Sequence, residues 1–188
     1  MKNSKPTKQT IILGILMLMG ALLGQRTAHG YLHAADIFIL LAAILLPTPH
    51  AAVAAGLTGV AVDLIKGLPL LAPATLLIKV FMVLAAKGLL KLSPSQKHPE
   101  CMVGPAALVP VAGYYLYELI LQLIAGNGFA AFGAAAGTLQ KDFLQALASF
   151  LLFIFVYDLY MGIRSAKESI AAQKEQSAEN SEEPQILE

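Results

Sequence analysis

Apolar residues gather along this chain into six runs, over residues 10–24, 34–46, 51–65, 70–86, 102–125 and 143–162, with no sustained alternation. A helix that crosses a bilayer needs roughly 20 residues, with about 17–25 the usual range. The later runs meet that length. The earlier ones reach it by drawing in flanking residues such as Tyr31 and Lys66. The second and third runs are separated only by Pro47-Thr48-Pro49-His50, which predicts a tight turn between antiparallel helices. The pattern predicts an all-α integral membrane protein: a six-transmembrane-helix bundle over residues 1–164 and a polar tail over 165–188.

Composition strengthens this reading. Of 188 residues, 57% are hydrophobic and 13% charged, and the mean hydropathy is +0.67. Too little polar sequence is left to cover the surface of a soluble helical bundle. Lys and Arg then set an orientation. A cytoplasmic N-terminus puts Lys2, Lys5, Lys8, Lys87, Lys91, Lys97, Arg164, Lys167 and Lys174 inside, and leaves Arg26, Lys66, Lys79 and Lys141 on the outer side. Both termini are expected in the cytoplasm.

The first run also imitates a secretory signal, with Lys2, Lys5 and Lys8 ahead of it and Ala28-His29-Gly30 as a small-residue cleavage site. Cleavage there would leave five spans and spoil the charge bias. Cys101 is the lone cysteine, placed in a cytoplasmic loop, so no disulfide framework exists. The tail is acidic toward its end (Glu175, Glu179, Glu182, Glu183, Glu188) and is expected to continue the last helix briefly before becoming disordered. A net charge of +1 gives no sign of nucleic-acid binding.

The ionisable and amide residues within the runs are unevenly placed. With alternating spans, Asp63, Lys79, Glu118 and Gln145 all fall in the outer half. An unpaired charge there costs at least about 2.5–3.5 kcal/mol, so such residues persist mainly where a pocket or pathway uses them. Lys79 sits about 10 Å below the outer end of its span, too deep for snorkelling. It needs a carboxylate, a ligand anion or water, and Asp63 is the candidate carboxylate. Lys66 reads as an ion-pair partner of Asp63 or as a lysine reaching the headgroups. In the fifth span Tyr114, Glu118 and Gln122 are spaced by four and share one stripe beside Tyr117. That stripe suits either ligand contact or an interhelical hydrogen-bond network.

At the entrance to the second span, Tyr31 offers a stacking ring, while His33 and Asp36, three apart, offer hydrogen bonds from one helix face. An interfacial tyrosine and a helix-start aspartate explain the same residues without a ligand. His29, His33 and Asp36 would align for a metal if that stretch were helical. Gly30 lies within it and no second ligand cluster supports it, so no metal is expected. At the start of the sixth span Asp142 fits a first helical turn and Gln145, one turn deeper, fits a pocket wall. Gly20 and Gly24 flatten one face of the first span, and Ala52, Gly56, Ala55 and Gly59 do so on the third. The chain has no phosphate-binding loop, no H-E-x-x-H and no G-x-S-x-G, so nothing marks it as an enzyme or as an ATPase itself.

Five stretches together resemble a known family. They are Gly30-Tyr31-Leu32-His33-Ala34-Ala35-Asp36, Asp63-Leu64-Ile65-Lys66-Gly67, Ala72-Pro73-Ala74-Thr75-Leu76-Leu77-Ile78-Lys79, Gly113-Tyr114-Tyr115-Leu116-Tyr117-Glu118 and the Gln145 helix. The family comprises the substrate-binding S components of energy-coupling factor (ECF) transporters, near the riboflavin-type and hydroxymethylpyrimidine-type members. The resemblance covers roughly residues 10–164. It implies a multi-pass protein of a prokaryotic plasma membrane with an outward pocket for a vitamin or vitamin precursor. It also implies a transmembrane coupling subunit and two cytoplasmic ATPase subunits as partners, which hydrolyse ATP so that this chain needs no cofactor. Substrate contacts would fall to Tyr31, His33, Asp36, Asp63, Lys79, Tyr114, Glu118 and Gln145, and docking to Gly20 and Gly24. One departure is residues 133–140, which lack the Pro-Gly/Asn signature relatives often carry, leaving the substrate open. A stand-alone secondary transporter or channel is the alternative reading, and a membrane-embedded enzyme using Glu118, Asp63 and His33 is a third.

Overall fold

A computed structural model of the protein describes residues 6–27, 30–92 and 98–182. Lys2, Lys5, Ala28, His29, Lys97, Glu183 and Glu188 lie outside the described residues, as do the side chains of Arg26, Tyr31, Glu175, Glu179 and Glu182. The described chain is almost wholly helical: α1 (Pro6–Leu22), α2 (Ala35–Leu45), α3 (Thr48–Ile65), α4 (Ala72–Leu92), α5 (Pro99–Val103), α6 (Val109–Ile124), α7 (Ala130–Ala136) and α8 (Leu139–Glu182). A 3-10 turn, Gly104–Leu108, feeds α5 into α6. Between α1 and α2 stands a feature too short to read from alternation, an antiparallel hairpin of β1 (Gln25–Thr27) and β2 (Gly30–Leu32). In it Arg26 pairs with Tyr31, and Gln25 with Leu32. The His29-to-Asp36 stretch is therefore not a continuous helix.

Among the described residues, four stretches are long and apolar enough to cross a membrane: Thr48–Ile65, Ala72–Leu92, Pro99–Ile124 and Ala130–Lys174. Thr7–Leu22 and Ala35–Leu45 are apolar but shorter. Large apolar side chains point outward along them, among them Ile12, Leu57, Phe81, Ile120 and Leu151, each more than half exposed. Asp36, Asp63, Thr75, Lys79 and Asp142 are buried. Soluble monomers rarely expose a contiguous apolar patch beyond a few hundred Å². Oily outside with charges inside is the arrangement of a protein dissolved in lipid.

Local chemistry explains the helix ends. Pro47 forces Leu46 into an extended conformation (φ −104°, ψ 155°) and so stops α2. Pro49 then fits the first turn of α3, where its missing N–H is no loss. The four-residue turn expected at 47–50 thus contracts to Leu46 and Pro47, with Thr48, Pro49 and His50 already helical. Gly67 takes a left-handed φ of 73° after α3. The Leu68 N–H donates to the Asp63 carbonyl (2.7 Å) and the Gly67 N–H to that of Leu64 (3.1 Å), completing a Schellman cap. Gly126 (φ 83°) ends α6 in the same way, with the Asn127 N–H on the Gln122 carbonyl at 3.1 Å.

Within the unit Met1–Ile154, α4 is the central helix, packed on α2, α3, α5 and α6, while α1 packs on α2 and α3. Small residues permit these approaches. A Cβ on Gly59 would lie 2.7 Å from Thr75 Cγ2, and one on Gly56 3.2 Å from Val80 Cγ2, so this face of α3 is spent on α4. Gly20 is likewise buried against the backbone of Ala34 and Ala35, and its carbonyl accepts the Ala34 N–H at 3.0 Å. The flat face expected to receive a partner at Gly20 is an internal contact, because only a missing side chain lets α2 begin so close to α1. Gly24 sits just past α1, its N–H on the Ala21 carbonyl at 3.2 Å. Cys101, expected in a loop, is an exposed residue of α5. The second unit, Phe155–Glu188, is helical as far as Glu182, further than the brief continuation expected past Arg164. Its Ala, Glu, Lys and Gln residues are good helix formers.

Candidate functional site

Chain direction alone brings the polar residues together. The end of α1, the starts of α2 and α4, the end of α3, the middle of α6 and the start of α8 meet at one end of the bundle. They enclose a cavity of about 250 Å³. Of the residues expected at a site, His33, Asp63, Lys79, Tyr114, Glu118 and Gln145 line it. Typical drug-sized sites occupy about 300–1,000 Å³, so this one suits a smaller molecule.

The deepest element is an ion pair. Lys79 Nζ donates to Asp36 Oδ1 at 2.5 Å, with both side chains almost wholly buried. Its carboxylate is therefore Asp36 and not Asp63. The reason is tertiary: α2 and α4 pack side by side, and the first turn of α2 faces Lys79 one helix away. Asp36 consequently acts as a counterion behind the wall, and does not line the cavity itself. Lys79 also lies 5.9 Å from the centroid of the Tyr114 ring, a cation–π contact.

Gln145 ties this pair to His33. Its Nε2 lies 3.3 Å from Asp36 Oδ2 and 3.3 Å from each ring nitrogen of His33, and its Oε1 accepts the His33 backbone N–H at 3.3 Å. His33 precedes α2, so the shared helix face expected for His33 and Asp36 is replaced by a shared partner on α8. Burial is the largest influence on His33 and holds its pKa at about 4; Asp36 opposes this, and Lys79, Lys66 and Lys141 reinforce it. The ring is therefore neutral at pH 7.

On the facing wall, Thr75 Oγ1 and the Tyr114 hydroxyl are 3.3 Å apart. Gln122 Nε2 donates to Glu118 Oε1 at 2.8 Å, within the stripe read from the spacing of four. Tyr117 donates its hydroxyl to the Leu70 carbonyl at 2.8 Å, anchoring the α3–α4 connection over the cavity. Lys66 anchors it from the other side, donating to the Ala21 carbonyl at 2.8 Å. It thereby caps α1, in place of the headgroup contact considered for it. Lys141 and Asp142 pair at 2.7 Å. Thr58, Thr75 and Thr138 also line the cavity and carry no charge signal in an apolar run. The side chain of Tyr31 lies outside the described residues. Among the described residues no cluster of His, Cys, Asp and Glu could hold a metal ion.

Compared with protein-family models, with curated proteins and with solved structures, the chain matches none. The function is therefore argued from the site. A polar network with neutral and charged donors and acceptors, set in an apolar bundle, is suited to selective binding. A ligand lacking a matching group would leave a buried partner unsatisfied.

Proposed function

We propose that this protein is the substrate-binding S component of an ECF-type importer, capturing a small water-soluble vitamin or vitamin precursor at the outer face of a prokaryotic plasma membrane. The observation that carries the reading is the cavity of about 250 Å³ at one end of the bundle, where His33, Lys79, Glu118 and Gln145 converge from four elements. Six apolar helices, with both termini cytoplasmic by the lysine and arginine bias, turn that end outward. Tyr114 supplies a ring face, and His33, Glu118 and Gln145 supply hydrogen bonds to the ligand's polar edge. The Asp36–Lys79 pair holds that wall in place. A coupling subunit and two ATPase subunits deliver the energy, in keeping with the absence of a phosphate-binding loop from this chain.

The test is calorimetry or thermal unfolding of the purified protein against a panel of vitamins and precursors. One ligand should raise the melting temperature, and Glu118→Ala should weaken it at least about tenfold, the loss of one buried hydrogen bond to a charged group. Uptake should require the ATPase subunits. If no ligand stabilises the protein and Glu118→Ala leaves uptake unchanged, the proposal fails. Transport in cells lacking the ATPases would favour a stand-alone transporter.

A further inference from the structure

Among the described side chains, the formal charges around the cavity do not balance. Asp36, Asp63, Glu118 and Asp142 stand against Lys66, Lys79 and Lys141, so three lysines meet four carboxylates and one formal negative charge is left over while His33 is neutral. The lysines are also committed. Lys79 is held by Asp36, Lys141 by Asp142, and Lys66 by the Ala21 carbonyl. An anionic ligand would have to share a lysine with an acceptor already in place.

Two acceptors remain open. Asp63 Oδ2 and Asp142 Oδ2 are buried without a hydrogen-bond partner, in residues only 8% and 7% exposed, and both residues line the cavity. A buried acceptor left unsatisfied is destabilising, more so when charged, and an incoming N–H donor would relieve it. Asp63 comes from the end of α3 and Asp142 from the start of α8, so a ligand must present donors to two walls. A bare metal ion does not fit, since no cluster of three ligands exists among the described residues.

We propose that the ligand is a small organic cation carrying N–H donors, seated with those donors on Asp63 Oδ2 and Asp142 Oδ2. This deepens the receptor reading and rests on it. The leftover formal negative charge favours the cation, and lysines already paired with Asp36 and Asp142 attract anionic analogues less.

Deproteinised yeast extract, split at pH 7.5 on a cation exchanger into retained and flow-through pools, supplies the probe. Thermal unfolding of the purified full-length protein is followed with each. The retained pool should raise the melting temperature by about 5 °C or more at saturation, and the flow-through should not. Asp63→Asn and Asp142→Asn should each require at least about ten times more of the retained pool for half the shift. Stabilisation by the flow-through alone overturns the cation and leaves the receptor standing. Stabilisation by neither pool removes the receptor reading and this inference with it. A wild-type response in both variants overturns the assignment to these carboxylates. The comparison of pools uses wild-type protein, so it holds even where a variant fails to fold.

Discussion

The two ends of the bundle are made from the same helices, yet they handle buried polarity differently. At the end opposite the cavity, Leu46, Met82, Val83, Ala86 and Val103 are buried and apolar, Glu100 is buried but paired with His98 at 2.9 Å, and His50 Nδ1 is the one buried atom there without a hydrogen-bond partner among the described residues. A lysine there, Lys87, donates to the Leu46 carbonyl at 2.7 Å, capping the end of α2. At the cavity end Lys66 caps α1 in the same way, but behind it lie an ion pair, a glutamine bridge and two unsatisfied carboxylate oxygens. Capping is what a helix end needs for itself. The further polarity is more than the helices require, and a fold does not keep such groups buried without a use for them. The contrast marks one end as the candidate site before any ligand is considered.

The largest test of that contrast is the ion pair. Lys79→Met leaves the Asp36 carboxylate buried without a cation, a change expected to cost about 3–5 kcal/mol. Thermal unfolding in detergent micelles should show it as a clear fall in melting temperature. Adding Asp36→Leu removes the stranded charge and should recover most of the loss. If the single variant melts with the wild type, the pair does not organise that end.

The sequence made this contrast partly legible. Charges deep in apolar runs are costly wherever they occur, so Lys79 and Glu118 announced themselves without a structure. Spacing along one helix is also local, and the Glu118–Gln122 bond follows from it. What spacing cannot supply is a partner on another helix. The sequence offers Asp63 as a candidate carboxylate for Lys79, yet the partner is Asp36, since nothing local says which side of α2 faces α4. Thr75 is hidden for a different reason: a hydroxyl costs too little in a bilayer to stand out. Gly20 shows the reverse failure, where a small residue fits partner docking and internal packing equally well until its neighbours are known. The hairpin of β1 and β2 is hidden because three-residue strands are shorter than any alternation that could reveal them.

A middle-sized effect comes from His33. An unfolded chain holds this histidine near its ordinary pKa of 6.5, and the folded protein near 4. Folding therefore favours the neutral ring. That contribution is fully present above pH 6.5 and is lost as the pH falls from 6.5 to about 4. At about 1.4 kcal/mol per unit it amounts to about 3 kcal/mol. Unfolding of the ligand-free protein between pH 7 and 4, compared with His33→Gln, should show the wild type losing more stability across that window. Parallel curves would mean that the cavity end does not exclude the charged ring.

The smallest effect sharpens the comparison most directly, because it sets two lysines with one structural task against each other. Lys87→Met and Lys66→Met each delete a cap on a helix-terminal carbonyl, worth about 1 kcal/mol. Their losses of thermal stability should be alike. Their ligand responses should not be. Lys66 lines the cavity and holds the α3–α4 connection across it, whereas Lys87 lies at the far end among apolar side chains. Lys66→Met should therefore weaken ligand-induced stabilisation, and Lys87→Met should leave it at the wild-type value. Equal loss of ligand response in both variants would show that binding depends on the stability of the bundle as a whole, and the functional distinction between its ends would disappear.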